Sequence, residues 1–207
     1  MFRTVAAALV LMVATGLVAS GEGLASLSGS VTVVMESENP LPSEAVVALK
    51  KEIDRLFAST RLRIDWVRRE ETGLGFEAAD IVVVRLRGDC RATSTPPGPP
   101  DELGPLAWTH ISHGTVLPFS EVECDRVTRA AHSALIGGER VRAQQMVGRA
   151  LGRVVAHELL HIFLQQKSHA AKGIFRRGLT PRQLVETFAD EDAEGRIVLD
   201  SKGKPAS

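Results

Sequence analysis

The chain contains no tyrosine, so no phenolic O–H is at hand to donate to a developing oxyanion. A cation, a histidine or a backbone N–H must meet such a charge instead. Two cysteines among 207 residues exclude a cysteine-rich metal finger. Twenty-five basic residues balance 25 acidic ones, and this lack of surplus excludes an overall nucleic-acid footprint. Arg176-Arg177 and Arg182 form only a local basic cluster, which reads as solvated surface. Beyond the N-terminus no apolar run is long enough to span a bilayer. There is no internal repeat, no phosphate-binding glycine loop and no GxSxG elbow.

What is present begins with an export signature. Arg3 precedes an apolar run from Val5 to Val18, and small residues follow at Ala19-Ser20-Gly21. This predicts a signal peptide over 1–20 and a secreted or periplasmic protein. An uncleaved anchor is the alternative and would be the sole contact with a membrane, although the run is short for a span. Export permits a disulfide between Cys90 and Cys124, which would stabilise by about 3–4 kcal/mol. Two separate buried thiols are the alternative. Residues 28–195 suffice for one domain with a substantial core, and 196–207 read as a polar tail.

The densest chemistry lies at His157-Glu158-Leu159-Leu160-His161, an HExxH pattern. On an α-helix, residues four apart share a face and sit about 6 Å apart along the axis. Two imidazoles so placed can grip one Zn2+ ion, and Glu158 beside them can act as a general base. Val154, Val155, Leu159, Leu160, Ile162 and Phe163 make the helix largely buried, and buried polar groups need partners. One metal ion would serve all three. A structural zinc site closes four protein ligands, whereas a catalytic one keeps a position open. The scarcity of cysteine points to the catalytic kind.

A third ligand has two candidates. His169 lies twelve residues after His157. A continuous helix would carry it about 18 Å along the axis, so the helix must stop soon after Leu164 and the chain must turn back. Gln165 to Ser168 is polar enough to leave the core, yet it lacks a glycine. The rival is Glu186, 25 residues after His161, in a second predicted helix with Thr180 as N-cap and Pro181 in its first turn. There Glu186 and Asp190 would share a face.

The HExxH helix resembles the active-site helix of zincin metallopeptidases. With a nearby third histidine it is similar to the metzincin branch, whose pattern is HExxHxxGxxH. Leu164 stands at the glycine position, Lys167 stands where the third histidine is usual, and no methionine follows Met146 to form a methionine turn. Ile174 or Phe175, after Gly173, is the candidate for that role. A later glutamate, Glu186, would instead resemble the gluzincin branch. The resemblance implies an α+β fold, with a twisted mixed sheet packed on helices, and a zinc-dependent endopeptidase acting on peptide or protein. Its catalytic base would be Glu158 and its zinc ligands His157, His161 and His169. A non-catalytic zinc-binding domain with a peptide groove is the alternative.

The rest of the chain fits such a fold. Ser30 to Glu36 alternates as a strand; Ser43 is positioned to cap a helix with Val46, Leu49, Ile53 and Leu56 on its buried face. Arg63 to Val67 and Asp80 to Leu86 read as strands, the latter buried on both faces because Ile81 to Val84 is continuous. Residues 88–105, rich in proline, form a loop. Leu106 to Ile111 and Thr115 to Val122 read as two strands joined at His113-Gly114. By the metzincin resemblance, Leu106, Ala107 and Trp108 begin a substrate-binding edge strand. His110 and His113 point to opposite faces of it and cannot share a metal. A long helix is expected from near Glu139, with Gly148 and Gly152 permitting close approach to the sheet.

Overall fold

The computed structural model describes residues 28–74, 76–78, 80–92, 104–136, 142–170 and 173–186. The expected signal segment, the tail, most of the proline-rich loop and Asp190 lie outside these residues. No helix among the described residues is long and apolar enough to cross a membrane.

The elements run β1 (Ser28–Ser37), α1 (Ser43–Phe57), β2 (Arg61–Arg68), β3 (Ile81–Arg87), β4 (Ala107–Ser112), β5 (Thr115–Glu123), α2 (Cys124–Ala134), α3 (Ala143–Leu164) and α4 (Pro181–Val185). The strands form one mixed sheet in the order β2-β1-β3-β5-β4. β1 pairs parallel with β2 and β3, and β3 pairs parallel with β5. β4 runs antiparallel to β5 at the sheet edge, with a register shift between Thr109 and Ile111. The fold is mixed α and β, a five-stranded sheet packed against helices.

Alternation sorts the strand residues onto two faces. Val31, Val33, Met35, Val82, Val84, Leu86 and Val122 join Leu49, Ile53, Leu151, Val155 and Leu159 of the helices in one apolar core. The opposite face carries ion pairs instead: Arg85 with Glu36 at 2.9 Å and with Glu121 at 3.6 Å. β3 is therefore not buried on both sides as its continuous apolar run implies. Ile81 and Arg85 are exposed, because the core packs against only one of its faces.

Three local expectations need correction. Ser43 is the first residue of α1 and forms no cap; Pro42 precedes it without a side-chain hydrogen bond. Gly148 and Gly152 do permit close approach, but to α1 and not to the sheet. A Cβ on Gly148 would lie 2.5 Å from the Ala45 carbonyl oxygen, and one on Gly152 would lie 2.8 Å from that of Leu49. α4 ends at Val185, so Glu186 is already extended and not part of a helix. Thr180 does cap α4, reciprocally with Gln183.

Two covalent or ionic ties hold the helices around α3. Cys90 and Cys124 form a disulfide, which joins the segment after β3 to the start of α2. Arg153, 1% exposed, donates from Nε to Glu52 of α1 at 2.6 Å and from Nη2 to the Glu186 carbonyl at 2.7 Å. It also donates to the Gln183 carbonyl. Buried guanidinium groups are tolerated only with such full satisfaction.

Candidate metal centre

α3 is buried along most of its length, and it presents His157, Glu158 and His161 beneath the edge strand. Glu158 is 5% exposed and His161 9% exposed. The four-residue spacing brings the Nε2 atoms of His157 and His161 to 3.2 Å. The helix then stops where it must. Gln165 takes the left-handed conformation at φ 50°, and its N–H bonds back to the His161 and Ile162 carbonyls. A residue with a side chain thus makes the reversal that glycine more often makes. His169 returns to place its Nε2 at 3.2 Å from that of His161. One ligand atom from each of the three histidines lies within 4.8 Å of the others.

The tautomers of two rings follow from their neighbours. His157 Nδ1 lies 2.9 Å from the Ile174 carbonyl oxygen, and His161 Nδ1 lies 2.6 Å from that of Gln166. A carbonyl only accepts, so both Nδ1 atoms carry hydrogen and both Nε2 atoms present lone pairs. Two lone pairs 3.2 Å apart repel, and no hydrogen can sit between them unless a ring is protonated. Burial opposes that protonation. It pulls the His157 pKa down to about 4 against the Ile174 hydrogen bond. Burial also lowers His161, and burial, His161 and Arg177 lower His169. A cation between the rings resolves the repulsion. Zinc–nitrogen bonds near 2.0–2.1 Å in a tetrahedron set nitrogens about 3.3 Å apart, close to the 3.2 Å of the His157–His161 and His161–His169 pairs. The donor set therefore fits a divalent metal ion, and the carbonyls that hold Nδ1 are the outer partners such ligands ordinarily have.

Phe175 underlies the cluster. It is 2% exposed, and its ring centroid lies 5.5, 4.8 and 5.8 Å from those of His157, His161 and His169. Ile174, the other candidate for a floor residue, contributes its carbonyl to His157.

Glu158 faces β4. Burial raises its carboxyl to a pKa of about 7, opposed by hydrogen bonds from Thr109. Thr109 Oγ1 donates to Glu158 Oε2 at 2.7 Å and lies 3.0 Å from Ser120 Oγ on β5. The Thr109 contact spans 49 residues, and nothing local in the sequence signals it.

A cleft of about 510 Å³ opens over these groups, and Leu106, Ala107, Trp108 and Thr109 contribute to its wall. This volume suits a small ligand or a few side chains. Glu186 does not join the cluster: its carboxylate pairs with Arg182. His110 points to the ionic face of the sheet, where its Nε2 lies 3.0 Å from Glu121, and His113 sits in the β4–β5 turn. Neither belongs to the histidine cluster. Comparison with protein-family models, with curated proteins and with solved structures gives no match, so the chemistry of this centre is read from its own geometry.

Proposed function

We propose that the chain is an exported zinc-dependent peptidase of the zincin type, with His157, His161 and His169 as ligands and Glu158 as general base. The observation that carries the reading is the convergence of three imidazole nitrogens beside a buried carboxylate, under the edge strand of the described sheet. Zinc, when bound, supplies a Lewis acid that polarises a carbonyl and makes water a nucleophile near neutral pH.

The chain's own groups do the rest. The Nδ1–H bonds to Ile174 and Gln166 fix two imidazoles so that their Nε2 lone pairs face inward. Thr109 holds Glu158 Oε2, which leaves Oε1 to accept a proton and hand it to the departing amine. Among the described residues β4 has a strand partner on one side only, so a substrate backbone can add to its outer edge as a further strand. Leu106, Ala107 and Trp108 lie where that strand would enter the cleft. An arginine, a histidine or a backbone N–H must complete the oxyanion site, since the chain has no tyrosine.

The test is casein digestion by the zinc-loaded full chain, with and without a chelator, beside Glu158→Gln. Wild type should digest and stop on chelation. Glu158→Gln should keep one zinc per chain and lose at least about 100-fold in rate, the low end for general-base catalysis. Zinc retention without any hydrolysis by wild type would favour a non-catalytic binding domain.

A further inference from the structure

The charge of the cleft is one-sided. Among the described residues lining it, Glu158 is the one acid, while Lys167, Arg176 and Arg177 are cations. The whole chain is neutral, so this is a local concentration and not a reflection of composition. All three cations come from the segment after α3 that also brings His169. Lys167 reaches toward the β4–β5 turn, where its Nζ would lie 3.7 Å from a Cβ at Gly114. Arg177 is close enough to depress the His169 pKa.

Several arginines elsewhere are matched by acids. Arg85 pairs with Glu36, Arg153 with Glu52 and Arg182 with Glu186. Lys167 and Arg177 are exposed and have no ion-pair partner among the described residues. The lining also includes the apolar Leu106, Ile111, Val116, Val154 and Leu179. A cleft with low-dielectric walls and one sign of charge focuses its field on an entering ligand.

We propose that the cleft selects peptides that carry a carboxylate within a few residues of an apolar side chain, the carboxylate pairing with Lys167 and Arg177. The carboxylate can belong to an aspartate or glutamate, or to a free C-terminus. This rests on the peptidase reading for the identity of the cleft as the substrate site, but it concerns binding and can be tested without turnover.

The experiment uses four fluorescein-labelled peptides of one apolar sequence. One has an internal aspartate and an amidated end; the second has asparagine and a free carboxylate. The third has asparagine and an amidated end; the fourth has lysine and an amidated end. Binding is read by fluorescence anisotropy on zinc-loaded Glu158→Gln, and turnover is read on wild type. At least one carboxylate peptide should bind about five- to twentyfold more tightly than the neutral one, as expected for two rim ion pairs. The advantage should shrink as salt rises from 25 to 400 mM, and it should vanish in Lys167→Glu/Arg177→Glu. Which carboxylate peptide gains identifies the source. The salt series needs no rim variant, so a poorly folded double variant does not decide the matter.

Equal binding of all four, or a preference that survives both salt and charge reversal, overturns the inference. Equal cleavage of all four by wild type, with equal binding, overturns the inference and leaves the peptidase reading standing. No cleavage at all, with carboxylate-selective binding intact, overturns the peptidase reading and supports the inference.

Discussion

Removing the His169 imidazole gives the sharpest view of the centre. Two nitrogen pairs already sit at 3.2 Å, and a tetrahedral zinc site wants about 3.3 Å, so those two pairs require little rearrangement on binding. Free zinc buffered at 1,000 times its dissociation constant would stabilise the wild-type fold by about 4.1 kcal/mol. In a domain of this size each kcal/mol moves the midpoint by about 2–4 °C, so zinc should raise Tm by roughly 8–16 °C. Loss of one of three ligands should weaken affinity at least as much as loss of an outer partner, which costs up to about 100-fold. At the same free zinc, about 2.7 kcal/mol then disappears and about 1.4 remains, or roughly 3–6 °C. Each protein must be compared with its own metal-free form, because removing the imidazole also alters the contacts His169 makes with His161 and Phe175 in the metal-free fold. Differential scanning calorimetry in a zinc buffer makes the measurement. Glu186→Ala should keep the full shift, since that carboxylate pairs with Arg182. A wild-type Tm indifferent to zinc, or a His169→Ala variant with the undiminished shift, would refute the three-histidine centre.

Other perturbations separate chemistry from framework. Thr109→Val should leave zinc content and KM nearly unchanged while lowering kcat about tenfold, the effect of losing one hydrogen bond to a charged group; Thr109→Ser should restore it. Equal losses in both variants would mean that the contact only packs. Gly148→Ala places a Cβ 2.5 Å from the Ala45 carbonyl oxygen. Overpacking of about 1–3 kcal/mol should outweigh the roughly 1 kcal/mol gained in helix propensity, and a urea midpoint at or above wild type would contradict the close seam. For Glu52, burial raises the pKa, yet hydrogen bonds and charge from Arg55 and Arg153 outweigh it and hold the carboxyl below its ordinary value. Burial also pulls Arg153 down, but a guanidinium remains charged throughout, so the carboxylate is the partner that titrates. The pair's contribution is complete above the unfolded carboxyl pKa near 4.5 and fades as pH falls through the lower folded value. Glu52→Gln should therefore flatten the acid limb of a stability–pH curve; an unchanged limb would show that other carboxylates set it.

The helical pair was legible because both residues obey one local period, and strand alternation located β1 for the same reason. The α3 terminus was legible by exclusion, since only a reversal returns His169 to the pair. Its mechanism was not, because a left-handed Gln165 leaves no compositional mark. Thr109 and the Ile174 and Gln166 carbonyls were hidden for a different cause. Their contacts are tertiary, and a backbone acceptor has no sequence identity at all. The glycines of α3 announced a close neighbour but not which one. Apolar helix and apolar sheet look alike until the topology places α1 against α3.

The reversal at Gln165 carries a wider implication. Helical pitch dictates the interval between the first two donors, so that interval has almost no freedom. The third arrives on an exposed connector, and any connector able to double back over the same point would serve, whatever its number of residues. A search that insists on a fixed count to the last imidazole therefore tests the connector's length and not the centre's capacity to hold an ion, and chains that close the same triangle by a longer way home will pass through it unseen.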